Sequence, residues 1–139
     1  MSSRILVPMD DSEMARRALT YALENHPDAE ITVLHVVGNP SSMMGSAAGL
    51  ALEDDPEAAA EEQAEEIFDP ARELAAEYDI EIETAIRSGS PASVIVTAAE
   101  AFDTVVIGSH SGSLVQDLFV GNIAKKVVSE SPVPVTVVR

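Results

Sequence analysis

Ile107-Gly108-Ser109-His110-Ser111-Gly112-Ser113, completed by Val120-Gly121-Asn122-Ile123, is the part of this chain best suited to hold a phosphate. An apolar run from Thr104 to Ile107 leads into small, turn-prone residues, and an amphipathic helical pattern follows over 121–129. At such a strand–turn–helix junction, exposed backbone N–H groups and the positive end of the helix dipole favour an anion. The first turn of the chain, Met9-Asp10-Asp11, contains no G-x-G-x-x-G, and no G-x-x-x-x-G-K-[ST] occurs anywhere, so neither a dinucleotide fingerprint nor a P-loop is present. His26, His35 and His110 lack metal-ligand spacing, so no metal site of the chain's own is expected. No nucleophile elbow accompanies Ser109 and His110, and no catalytic residue is assigned. His35, on an apolar run, is expected to be a satisfied histidine in the core or at a crevice edge.

Composition narrows the setting. The chain has 139 residues, 46% of them hydrophobic, enough for one domain (1–139) with a substantial core. Ser, Asp, Glu or Gly interrupts every apolar stretch before it reaches membrane length, and Met1-Ser2-Ser3-Arg4 runs directly into a strand-like segment, which argues against a signal peptide. The absence of cysteine excludes disulfides and thiol chemistry. Acidic residues outnumber basic ones 24 to 8, for a formal net charge of −16. Such a surface repels nucleic acid and anionic lipid, and it remains soluble in concentrated salt, where self-repulsion is screened. A salt-adapted cytoplasmic protein is therefore expected, with an acidic face for a basic partner as the alternative reading of the charge, and with neither nucleic acid nor membrane as partner.

The elements that must position the phosphate-friendly junction alternate along the chain. Ile5–Met9 reads as a first strand, and Asp11 or Ser12 caps a helix whose apolar positions Met14, Ala15, Ala18, Leu19, Ala22 and Leu23 share one face. Ile31–Val37 is apolar enough for a strand buried on both faces. A flexible, small-residue connection is expected over 38–54, then a long acidic helix from Asp55-Pro56 to about Tyr78, kinked or split at Pro70. Ile80, Ile82, Thr84 and Ile86 alternate with acids as an edge strand would. Ser90-Pro91 opens a third helix, Thr104–Ile107 is the fourth strand, and Val133–Val138, with Pro134, suits a fifth strand at an edge. The sum is an α/β doubly wound domain, Rossmann-like, with a five-stranded parallel sheet and helices on both faces. Ligands of such sheets bind beyond the strands' carboxyl ends where the strand order reverses, here between strands one and four if those are neighbours.

Taken together, Ile5-Leu6-Val7-Pro8-Met9-Asp10-Asp11-Ser12-Glu13, Leu34-His35-Val36, Val105-Val106-Ile107-Gly108-Ser109-His110 and Ser131-Pro132-Val133-Pro134-Val135-Thr136-Val137-Val138 resemble the universal stress protein family over nearly the whole chain. ATP-binding members of that family carry G-x2-G-x9-G-[ST] after strand four. Gly108 and Gly121 match; Ser111 stands where the second glycine belongs, with Gly112 one place late, and Asn122 stands at the Ser/Thr position. The resemblance implies that ATP or a related adenine nucleotide, with Mg²⁺ accompanying its phosphates, binds as a stress-response switch. Pro8 would shape the first turn, while Asp10 and Val36 contact the adenosine end. The amides of Gly108, Ser109, His110, Ser111, Gly112 and Ser113 would hold ribose and phosphate, and Gly121, Asn122, Ile123 and Ala124 would meet the outer phosphates. It also implies a homodimer through 133–138. No general base or phosphate-clamping Arg or Lys is evident, so at most slow hydrolysis is expected. Two alternatives stand beside this: the glycines serve only tight turns and close helix packing, and the chain is a nucleotide-free homodimeric module that engages another protein.

Overall fold

The computed structural model describes residues 3–37, 56–109 and 121–139, of which 56–60 by backbone alone. The 38–54 connection therefore lies outside the described residues. Among the described residues, nine elements follow in chain order: β1 (Arg4–Pro8), α1 (Glu13–Asn25), β2 (Glu30–Val37), α2 (Pro56–Ala76), β3 (Glu83–Ser88), α3 (Pro91–Ala99), β4 (Thr104–Gly108), α4 (Asn122–Glu130) and β5 (Val135–Val138). All five strands are parallel, in the order β3-β2-β1-β4-β5. The expected doubly wound sheet is what the chain forms.

Strand alternation sends side chains into two cores. Ile5, Val7, Ile31, Val33 and Val106 face α1 and α2, where they meet Leu19, Leu23 and Phe68. Leu6, Leu34, Val105 and Ile107 face α3 and α4, where they meet Ile95 and Val127. The six apolar positions read as one face of α1 are all buried. Of the two candidate caps, Ser12 takes the role, its Oγ accepting from the Ala15 N–H at 3.1 Å. No described helix is long and apolar enough to cross a membrane.

Two expectations need correction. Pro70 does not split the long helix, because α2 runs unbroken from Pro56 to Ala76. Pro70 is exposed, so the Glu66 carbonyl that loses its N–H donor lies on a face that water can reach. The strand expected from Ile80 starts only at Glu83. The residues before it are spent on ending α2: the Ile80 N–H donates to the Ala75 carbonyl and the Asp79 N–H to the Ala76 carbonyl, both at 3.0 Å. These are the paired bonds of a Schellman closure, with Asp79 in the left-handed region at φ 56°. An L-residue is strained there, and a carboxylate opposes the negative end of the helix dipole. Replacing Asp79 by Gly is expected to raise stability by about 0.5–1 kcal/mol, read as a higher urea midpoint at unchanged slope. A lower midpoint would show that the aspartate side chain helps to close the helix.

On the outer face of α2, Arg72 lies 2.7 Å from Glu65 and 3.1 Å from Asp69. Its guanidinium holds the Glu65 carboxyl below the usual range by hydrogen bonding. All three are solvent-exposed, so the cluster adds little to stability.

Candidate functional site

The order β3-β2-β1-β4-β5 means that the chain steps outward from β1 through β2 to β3, then returns to the other side of β1 for β4. The strand order reverses between β1 and β4, which pair directly through Ile5–Thr104 and Leu6–Val105. At the carboxyl ends of these strands the chains diverge into different helices, and a crevice opens.

Its floor comes from the strand ends Pro8, Met9, Ile107 and Gly108, with Leu34, His35 and Val36 of β2 beside them. Ser12 and Ala15 of the α1 start form one wall, Pro91 and Ile95 of α3 another, and Gly121, Ile123 and Ala124 of the α4 start a third; Asp10 completes the lining. The interior space is about 140 Å³, roughly ten times the 10–15 Å³ that one water needs, so a ring-sized group fits.

Local bonding fixes the polar members. The Met9 N–H continues the β1–β2 ladder to the Leu34 carbonyl at 2.8 Å. Asp10 Oδ1 accepts from the Ser12 N–H at 2.9 Å, which turns the chain into α1. His35 Nδ1 lies 3.2 Å from the Met9 carbonyl. A carbonyl only accepts, so this contact is a hydrogen bond when Nδ1 carries a proton. At α4, Gly121 is the cap, at φ −64° and ψ 159°, with no side-chain cap bond. The first main-chain bond back into the helix is from the Lys125 N–H to the Gly121 carbonyl, at 3.0 Å. The amides of Asn122, Ile123 and Ala124 therefore precede the helix's own bonding pattern, at the positive end of its dipole.

Of the residues singled out from sequence, the crevice brings together Pro8, Asp10, Val36, Gly108, Gly121, Ile123 and Ala124. Ser109 is 2% exposed and is not part of the lining. Its main chain is structural: the N–H donates to the Val138 carbonyl, and the carbonyl accepts from the Gly121 N–H. Asn122 is exposed in the first turn of α4 and also lies off the lining; the capping position is Gly121 instead. His110, Ser111, Gly112 and Ser113 lie outside the described residues. His35 sits at the crevice edge, one of the two places expected for it.

Gly108 has a reason for being glycine that is independent of any ligand. A Cβ there would come within 2.8 Å of Met14 Cγ and 3.0 Å of the Met14 carbonyl oxygen. Close packing of α1 on β4 thus accounts for this glycine, as the packing alternative holds. Sequence reasoning missed Pro91 and Ile95 as lining, because a helix packed on the sheet gives the same apolar periodicity whether or not its first turn also borders a crevice. Ala15 was assigned to the core for the same reason. Among the described residues, no group of three or more His, Cys, Asp or Glu side chains is placed to hold a metal ion.

Fold and crevice together define a class: doubly wound α/β domains with a small-ligand crevice at the topological switch point. The universal stress protein family matches residues 1–139, and the chain belongs to it. Universal stress protein YxiE of Bacillus subtilis is 29% identical over 148 residues, covering 100% of both chains. The structure of universal stress protein UspA from Lactobacillus plantarum matches with a TM-score of 0.77 at 25% identity, covering 99% of this chain and 97% of that one. A universal stress protein from Archaeoglobus fulgidus, solved in complex with dAMP, shares the fold with a TM-score of 0.70 at 19% identity, covering 100% of this chain and 98% of that one.

Proposed function

We propose that this chain binds ATP or a related adenine nucleotide in the β1–β4 crevice and acts as a nucleotide-dependent switch in a stress response. The observation that carries this is a convergence: Asp10, Val36 and the N-terminus of α4, which has no side-chain cap bond among the described residues, line one apolar, ring-sized crevice. Asp10 spends Oδ1 on the turn into α1, which leaves Oδ2 to accept from ribose hydroxyls. Val36 and Pro8 offer apolar contact to the base. The amides over 108–113 hold ribose and phosphate, and those of 122–124 take the outer phosphates, with Mg²⁺ bound alongside. The dAMP complex of the Archaeoglobus protein supports the reading, since the same fold holds an adenine nucleotide there. The acidic surface supports a salt-rich cytoplasm as the setting.

Calorimetric titration of MgATP into nucleotide-stripped protein in molar KCl tests the proposal. Micromolar binding is expected, weakened by about 10–100-fold in Asp10→Ala, the worth of a hydrogen bond to a charged group. Absence of heat, with no rise in melting temperature at millimolar ATP, would overturn it.

One observation favours a second reading, the nucleotide-free homodimeric module. β5 is the outermost strand of the sheet, and its four residues are only partly buried, as an edge awaiting another strand would be. If MgATP gives no heat while sedimentation shows a dimer, this reading replaces the first.

A further inference from the structure

The described lining of the crevice contains one carboxylate, Asp10, and one other ionisable side chain, His35. None of the chain's eight Lys and Arg residues is part of it. Several are engaged elsewhere. Arg4 is at the opposite end of β1, its guanidinium on the Ala101 carbonyl at 2.9 Å. Arg17 faces Glu13 at 3.4 Å and Arg72 faces Glu65 and Asp69; Arg87, in register with Val36, donates to the Ile86 carbonyl, and Lys125 and Lys126 lie on α4 beyond its first three residues, all three outside the lining. The sequence of 38–55 and of 110–120 contains no Lys or Arg, and His110 is the one ionisable base in either stretch.

Within the described lining, what remains for an anion is the first turn of α4, equivalent to about half a positive charge. Against it stand the Asp10 carboxylate and a protein of net charge −16. In low salt, every negative charge added to a ligand is therefore repelled more than it is held. We infer, on the footing of the adenine-nucleotide reading above, that this site selects its ligand by charge. It takes the nucleoside or its monophosphate ahead of the free triphosphate. The triphosphate enters only when Mg²⁺ or concentrated salt offsets its charge.

The test is a set of titrations with adenosine, AMP, ATP plus chelator, and ATP plus Mg²⁺, in low salt and again in molar KCl. It is run at about pH 8, above the ordinary imidazole range. In low salt AMP is expected to bind at least about tenfold more tightly than chelated ATP. Molar KCl or Mg²⁺ should close most of that gap. Chelated ATP that binds as tightly as AMP in low salt would overturn charge selection and leave the nucleotide site standing. Failure of all three ligands in both salts would overturn the nucleotide reading, and charge selection with it. Asn122→Lys, at an exposed position in the first turn of α4, places a cation at the phosphate end. It should raise the ratio of ATP to AMP affinity about tenfold in low salt; an unchanged ratio counts against the inference.

Discussion

Phe68→Ala is expected to cost about 3–5 kcal/mol, the usual loss for truncating a buried phenylalanine. The magnitude follows from what holds α2 to the domain. Its buried stripe is Ala64, Phe68, Ala71 and Ala75, spaced at helical intervals, and Phe68 at 2% exposure is the only large side chain in it. The alanines allow close approach but bury little area each, and Ile67 and Leu74 pack against the same core only partly buried, so among the described residues the Phe68 ring is the largest fully buried contribution to docking. The Arg72 guanidinium 5.7 Å from the ring centroid would lose its partner as well, a minor effect at an exposed site. Typical domain stabilities are about 5–15 kcal/mol, so the variant should lose about a fifth or more of its margin and melt roughly 10–17 °C lower. Urea unfolding followed by circular dichroism measures it. A loss below about 1 kcal/mol would mean that α2 is held by something other than this stripe.

Gly108→Val should be the second most damaging change, at about 1–3 kcal/mol or more, through overpacking rather than a cavity. The obstacle is specific. The new Cβ meets a flexible atom, Met14 Cγ at 2.8 Å, and a rigid one, the Met14 carbonyl oxygen at 3.0 Å. Met14→Ala in the same chain removes the first obstacle and leaves the second, so the double mutant should recover only part of the loss. α1 must shift to admit the valine, and it carries Ser12 and Ala15 in the crevice wall, so MgATP affinity should fall together with stability. If Gly108 were needed only for the approach of a phosphate, Gly108→Ala would keep its melting temperature and lose affinity alone. Those two patterns separate packing from ligand contact at a residue that borders both.

Much of the fold was legible because periodicity and punctuation are local. The helical spacing of Met14 to Leu23 is set by 3.6 residues per turn, and those six side chains are buried whatever they meet. The apolar run Ile31–Val37 and Pro134, read as lying inside a strand over 133–138, likewise indicated a central strand and an edge, although β5 starts only at Val135. Where local signals competed, the outcome depended on neighbours. Ile80 and Ile82 alternate like a strand, yet the carbonyls at the end of α2 needed donors, and the turn that supplies them took those residues. Pro70 is a helix breaker by itself, but on an exposed face of an otherwise docked helix it is tolerated.

The site divides in the same way. Asp10, Gly108 and Gly121 could be named from sequence because each belongs to a strand–turn–helix junction, and junction chemistry is written in adjacent residues. That β1 and β4 are neighbours, and that Pro91 and Ile95 of α3 close the same crevice, was decided by chain crossings that no local pattern encodes. Gly108 shows the boundary most directly. The sequence by itself determined that a glycine ends β4; only the tertiary structure assigned the reason, since the atoms that exclude a side chain belong to Met14, about two-thirds of the chain's length away. The charge of the protein, by contrast, is a property of composition alone. Its bearing on ligand choice was decided by where the fold puts its eight cations, which is outside the crevice.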